Sequence, residues 1–501
     1  MRRVEEWYLY MKIGIKTISK KYSSLHGATK ASLWFLICSF LQKGISVITT
    51  PIFTRLLSTY EYGQYSVFDS WLNIITILVT LNLSSGVYMQ GLVKFDKERK
   101  EYSSSLQGLN LILVIIWLII YLFTRNFWNK LFGLSTIQML ALLIMVWATA
   151  VFNFWSTQQR VNYSYKLLVL VTLIASVLKP VISILLIIVS EDKVTARILG
   201  LTIAEIICYS GFFFVQEIKG KKFYSNKFWK YALSFGLPLI PHYLSQIVLN
   251  SSDRIMIGTM VNESAAGIYS LAYSVSRIMA LFNTALLATV SPWIYQKIKE
   301  KKTEDIEKVA LPTILGIAGL NMLLIVIAPE VVKIFAPNTY YEAIYVIPPV
   351  SLSTIFTYTY NLFVAFEFYY KKSAWISGAS IVGAVLNIIL NYFCINAFGY
   401  IAAGYTTLAC YIVYTVMHYK FMIRVCDEEL QGVRPFDTKT LIWLGIGVIT
   451  IGLILNITYG DAIIRYTIVA IALIVIMFNR NKIIRSIGFL RNIKNSQLRT
   501  K

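Results

Sequence analysis

Few side chains in this sequence could do chemistry, and most of those sit where charge is costly. Lys43, Lys179, Glu205, His242 and Arg277 all fall near the middle of long apolar stretches. A charge at the centre of a membrane-spanning helix costs about 2.5–3.5 kcal/mol on insertion scales, so such residues are expected to face a wet cavity. Lys43, Lys179, Arg277 and the titratable His242 stand against one central carboxylate, Glu205. A chamber with that balance is electropositive. It favours phosphate or diphosphate, which Arg grips through two parallel hydrogen bonds and Lys as a point charge. Arg55 and Arg254 end two related apolar stretches and would ring the outer mouth of the chamber. Glu205 and His242 are candidates for proton coupling, and Asp69, early in the stretch after Arg55, is a third.

Each of these residues also has a plainer reading. Lys179 and Glu205 fall on adjacent helices and could simply pair. Arg254 could pair with Asp253 or anchor a helix end, and Asp69 could cap a helix or partner Arg55. His242, beside Pro241, could be a packing residue. Glu367, near a helix end, is expected to be solvated.

No catalytic signature accompanies them. The chain lacks GxxxxGK[ST], HExxH and GxSxG. Cys38, Cys208, Cys394, Cys410 and Cys426 show no CxxC or Cys/His cluster, so neither a disulfide framework nor a zinc site is expected. An enzyme is not expected, nor a metal or cofactor.

The elements that must position these charges are membrane helices. The chain is 57% hydrophobic and 14% charged, against about 25% charged in soluble domains. Spanning a bilayer takes about 20 mostly apolar residues. Fourteen such segments can be marked: 31–54, 63–92, 106–124, 135–156, 167–189, 195–217, 228–257, 264–296, 309–334, 343–369, 373–395, 400–422, 439–457 and 461–479. The loops alternate in charge, with 36 of the 47 Lys and Arg on the side of both termini. That asymmetry puts both termini in the cytoplasm. It also accounts for the net charge of +22, since a cationic rim meets anionic lipid headgroups. Nucleic acid is not needed as a partner. Residues 4–22 read either as an interfacial amphipathic helix or as a basic tail.

The chain repeats itself. Gly63-Gln64-Tyr65-Ser66 returns as Gly267-Ile268-Tyr269-Ser270, an offset of 204, and Ser70 falls on Ser274. Gly200-Leu201-Thr202 returns as Gly404-Tyr405-Thr406 at the same offset, and Ala175–Lys179 matches Gly383–Asn387 at 208. Ordered echoes at nearly one spacing indicate a duplicated unit. Six helices per unit is an even number, so both units enter the membrane from the same side and are parallel. The expected fold is an all-α polytopic membrane protein of about 14 transmembrane helices. A cytoplasmic segment (1–30) precedes an N-terminal six-helix lobe (31–217) and a C-terminal six-helix lobe (228–422). Two extra helices (439–479) and a basic cytoplasmic tail (480–501) follow.

Three stretches carry a family resemblance: TRLLSTYEYGQYSVFDSW, SDRIMIGTMVNESAAGIYSLAYSVS and YYKKSAWISGASIVGAVLNIILNYFCINAFGYIAAGYTTLACYIVY. They resemble, in that order, helices 1–2, 7–8 and 11–12 of polysaccharide-repeat-unit flippases, the Wzx-type branch of the MOP superfamily. The resemblance implies a V-shaped chamber between two lobes that opens to each side in turn. It implies transport of undecaprenyl-diphosphate-linked oligosaccharide to the outer leaflet of a bacterial inner membrane, for O-antigen, capsule or exopolysaccharide. A glycan polymerase and chain-length machinery are the partners it suggests. It gives no fixed motif positions for the chamber cations, so Lys43, Lys179, Arg277, Arg254 and Arg55 rest on depth alone. A cation-coupled multidrug or metabolite exporter of the related MATE-like branch is the alternative, for which a more acidic chamber is expected.

Overall fold

The computed structural model describes residues 27–480 and Gly488; the N-terminal segment and most of the basic tail lie outside them. The described residues form helical rods that run back and forth. The first lobe contains α1 (Gly27–Leu56), α2 (Thr59–Thr80) with its continuation α3 (Gly86–Lys94), α4 (Arg99–Phe123), α5 (Arg125–Phe132), α6 (Thr136–Val161), α7 (Tyr165–Val189), and α8 (Lys193–Tyr209) continued by α9 (Gly211–Gly220). The second contains α10 (Asn226–Gly236) leading into α11 (Ile240–Met260), α12 (Glu263–Ser276) continued by α13 (Ile278–Lys299), α14 (Ile306–Val326), α15 (Ala328–Phe335), α16 (Ile347–Tyr369), α17 (Ser373–Phe398) and α18 (Ala402–Glu429). The hairpin α19 (Thr438–Ile457) and α20 (Ala462–Phe478) completes the described chain. Among the described residues ten stretches are long and apolar enough to cross a membrane by length and composition, and α20 is apolar but shorter.

Local chemistry sets the turns. Ser58 accepts from the Glu61 backbone N–H at 3.2 Å, while the Glu61 carboxylate accepts from the Ser58 N–H at 2.7 Å. This reciprocal cap starts α2. Asn262, 204 positions later, caps α12 by accepting from the Ala265 N–H at 2.8 Å. The duplicated unit therefore repeats its helix start as well as its sequence.

The two starts meet each other. A Cβ added at Gly63 would lie 1.7 Å from the Glu263 carbonyl oxygen, and one at Gly267 would lie 2.1 Å from that of Thr59. Gly63 touches the first turn of α12, and Gly267 touches the first turn of α2. That reciprocity is the signature of a two-fold relation between the repeats, and only glycine permits backbones to approach so closely.

Around this contact the lobes share one apolar cluster. Phe53, Leu57, Tyr62, Ile187 and Ala196 come from the first lobe, and Ile257, Tyr269, Tyr340, Ile344 and Ile347 from the second. Polar contacts join the same end. The Thr54 hydroxyl donates to the Phe335 carbonyl at 2.5 Å, Arg55 Nη2 to that of Ile334 at 3.0 Å, and the Tyr340 hydroxyl to that of Leu57 at 3.1 Å. The turn-bearing end of the molecule is thus sealed between lobes.

At the opposite end, α10 packs away from its own lobe. Phe228 and Ala232 join a cluster with Leu83, Val87, Tyr88, Tyr102 and Leu106. Trp229 Nε1 donates to the Ser105 carbonyl at 2.8 Å, and Lys227 pairs with Glu98 at 2.5 Å. A short 3-10 turn, Leu237–Leu239, then carries the chain into α11. Pro238 and Pro241 mark this break, because proline cannot donate to the helical ladder.

Candidate functional site

Beneath the sealed end lies a cavity of ≈ 400 Å³, within the size range of small-molecule sites. Its walls come from both lobes: α1, α2, α7 and α8 on one side, α11, α12 and the α12–α13 junction on the other. Four cations line it, Lys179, Arg197, Arg254 and Arg277, together with one carboxylate, Asp69. The other polar walls are hydroxyl and amide groups such as Gln42, Ser46, Thr49, Ser66, Ser270 and Ser274. Ser66 and its repeat counterpart Ser270 both line the cavity, so the two repeats contribute matching positions to its wall.

Each cation is held differently. Lys179 precedes Pro180 inside α7; the proline frees the Ser176 carbonyl four residues back from its helical bond, and both residues line the cavity. Lys179 Nζ binds Glu205 Oε1 at 2.7 Å, and the Thr149 hydroxyl donates to the other carboxylate oxygen at 3.0 Å. The pairing that sequence left open is real, and Lys179 faces the cavity as well. Glu205 is 4% exposed, and its charge is spent on this pair.

Arg254 and Asp253 do not pair. The Arg254 guanidinium lies over the Tyr273 ring at 4.3 Å and donates to the Asn250 carbonyl at 2.9 Å. Asp253 turns the other way and is 1% exposed. It accepts from the Tyr269 hydroxyl at 2.6 Å, Asn391 Nδ2 at 2.7 Å and the Thr407 hydroxyl at 2.9 Å. Arg277 sits where α12 breaks and α13 begins, exposed to the cavity.

Of the remaining sequence expectations only Asp69 joins the lining. Lys43 is exposed on α1, one residue beyond Gln42, which lines the cavity. Arg55 belongs to the seal, donating to the Pro51 carbonyl and across the lobes to Ile334. His242 is half-buried on α11 with Nδ1 unpartnered. Asp69 faces the cavity and touches Asn73 rather than Arg55. Glu367 departs from expectation outright. His418 of α18 packs against it, and it is 0% exposed, with Oε1 2.7 Å from His418 Nδ1.

Sequence reasoning missed Arg197, which falls two residues into the segment 195–217 and was not singled out as a site residue. Lys193 begins α8, so Arg197 lies one turn inside the helix. Gly200 brings that helix onto α7, where a Cβ would stand 2.5 Å from the Ser183 Cα. The guanidinium is 3.4 Å from the Tyr65 ring centroid, 4.0 Å from that of Phe53 and 5.2 Å from that of Tyr62. The residue is 7% exposed. The repeat gave no signal for it, since position 401, at the same offset of 204, is Ile. Arg465, near the start of the segment 461–479, is buried beside Glu330 and donates to the Tyr459 carbonyl.

Counting Glu205 with the Lys179 it neutralises, four cations face two carboxylates, leaving two positive charges. Such a site attracts and orients an anion. Its polar groups offer no nucleophile paired to a base.

Comparison with known proteins agrees with the fold. A family model described as "Polysaccharide biosynthesis protein" matches residues 28–298. A Haemophilus influenzae relative, "Lsg locus putative protein 1", is 24% identical, covering 72% of this chain and 89% of its own length. The "Probable low-salt glycan biosynthesis flippase Agl15" of Haloferax volcanii is 24% identical over 36% of this chain and 39% of its own. Among solved structures, the lipid II flippase MurJ in an inward closed conformation aligns with a TM-score of 0.63 at 15% identity, covering 87% of this chain and 99% of that one. An inward-facing multidrug resistance MATE family transporter of the MOP superfamily gives 0.61 at 15% identity, covering 78% and 96%.

Proposed function

Given that the chain belongs to the polysaccharide biosynthesis protein family and has the fold of a MOP-superfamily transporter, we propose that it flips undecaprenyl-diphosphate-linked oligosaccharides across a bacterial inner membrane. The observation that carries this reading is the shared cavity of Lys179, Arg197, Arg254 and Arg277 with two net positive charges. The diphosphate enters the cavity, the glycan occupies its wet interior, and the lipid tail stays in the bilayer. With both termini cytoplasmic, as the charge asymmetry of the loops indicates, the sealed end faces outward. Rocking of the lobes then parts Gly63 from Gly267 and Tyr62 from Tyr340, releasing the head group to the outer leaflet. Surface glycan of the O-antigen, capsule or exopolysaccharide kind is the product, with a polymerase downstream.

The charge of the cavity opposes the multidrug alternative. A cationic drug would meet two net positive charges, which repel it. The test is export in the native host. A strain carrying Arg254→Ala with Arg277→Ala should lose surface polysaccharide while retaining the protein in its membrane. Normal polymer with altered drug susceptibility would reject the reading.

A further inference from the structure

We propose that the cavity holds two separate anion stations, and that the cargo therefore carries an oxyanion on its glycan in addition to its diphosphate. This rests on the flippase reading above and names the chemical class of the glycan.

The first observation is axial distance. Tyr62 and Tyr65, which flank the Arg197 guanidinium, bracket Gly63, and Gly63 lies against Glu263 and Gly267 of α12. Arg197 is therefore level with the first turns of α12, at the sealed apex. Arg277 follows Gly267 by ten residues, about 15 Å further along at 1.5 Å per residue. Arg254 stacks on Tyr273, one turn from Arg277, so these two cations form one station. A diphosphate, two phosphorus atoms sharing an oxygen, fits between neighbouring guanidiniums such as Arg254 and Arg277, whereas the backbone of Arg197 stands about 15 Å of helix away from that of Arg277. Lys179, already paired with Glu205, adds no free charge between them.

The second observation is the state of Arg197. Its Nε and Nη1 are buried and have no hydrogen-bond partner. Among the described residues no carboxylate lies within ion-pair distance of it. Aromatic rings pack around the guanidinium, which favours the cation but cannot accept in-plane N–H bonds. A buried guanidinium with unmet donors, opening on a cavity, is completed by an oxyanion. The lipid tail fixes the diphosphate toward the bilayer, so the group that reaches the apex belongs to the sugar. A uronic-acid carboxylate or a sugar phosphate supplies the same two-oxygen face.

The experiment uses the full-length protein in detergent and follows thermal unfolding with inorganic diphosphate, glucuronate, glucose 6-phosphate and glucose. Diphosphate and at least one acidic sugar should each stabilise the wild type, independently and without competition, while glucose does nothing. The stronger of glucuronate and glucose 6-phosphate identifies carboxylate or phosphate as the group. Arg197→Gln should weaken acidic-sugar binding about tenfold or more while keeping the diphosphate response, which also shows that the variant is folded. Arg277→Gln should do the reverse, and Arg197→Lys should recover part of the acidic-sugar response. Competition between acidic sugar and diphosphate, or unchanged acidic-sugar binding by Arg197→Gln, or no acidic-sugar binding at all, would overturn the proposal. Acidic-sugar binding lost in Arg197→Gln, with no diphosphate response from any form, would uphold the apex station and sink the diphosphate cargo instead.

Discussion

Gly63 and Gly267 occupy the same position in the two repeats, and their backbones touch. A Cβ on either would fall within 3.0 Å of the other's amide nitrogen. The duplication therefore meets itself at the sealed end, and closure there depends on two missing side chains.

Substituting them should loosen the seal. Gly63→Val forces α2 from α12 and should cost about 1–3 kcal/mol, the range for overpacked sites. A cysteine placed at Ser66 or Ser270, both in the cavity wall, should then react with an impermeant thiol reagent added outside the cell. Unchanged protection in Gly63→Val would mean that the seal lies elsewhere.

The Lys179–Glu205 pair should behave as a structural unit. Glu205→Gln leaves a largely enclosed ammonium without its partner, and breaking a buried pair costs about 3–5 kcal/mol; Lys179 is 28% exposed on its side chain, so the lower part of that range applies. Lys179→Met with Glu205→Met should recover most of the lost melting temperature. If the double variant also regains export, the pair is scaffold. If it is stable but inactive, Lys179 contacts the cargo.

Asp253 should anchor the second lobe. Its carboxylate joins α11 to α12, α17 and α18 through Tyr269, Asn391 and Thr407. Tyr269→Phe removes one donor of three and should cost about 1–3 kcal/mol. Asp253→Ala strips all three partners and should cost more, visible as a lower melting temperature. An Asp253→Ala protein as stable as wild type would contradict this assignment.

The buried Glu367–His418 contact predicts an asymmetry. His418→Ala leaves a fully enclosed carboxyl without its hydrogen-bond partner, with an expected loss of about 1–3 kcal/mol. Glu367→Gln keeps the shape without the charge and should cost less. Equal losses, read as melting temperatures, would show that packing rather than charge dominates there.

Much of the architecture was legible in the sequence because apolar length and charge asymmetry are imposed by the bilayer itself. The repeat was legible because the Gly-x-Tyr-Ser starts are needed for backbone contact at the lobe interface. The site was legible only in part. Lys179, Arg254 and Arg277 announced themselves by depth, but Arg197 falls two residues into the segment 195–217, too near its end to read as central. Arg55 has the right height on α1, yet its bond across the lobes, not its height, decides what it faces. Glu367 misled because apolar patterning does not reveal which helix packs over a helix end, and here His418 of α18 lies against the carboxyl.

The most direct measurement is translocation itself. Proteoliposomes holding undecaprenyl-diphosphate-linked glycan would be assayed for its arrival in the opposite leaflet, with wild type beside Arg254→Gln, Arg277→Gln and the double variant. The cationic-cavity account predicts transfer by the wild type, a drop of tenfold or more in each single variant, and none in the double. Wild-type rates from a correctly folded double variant would contradict it.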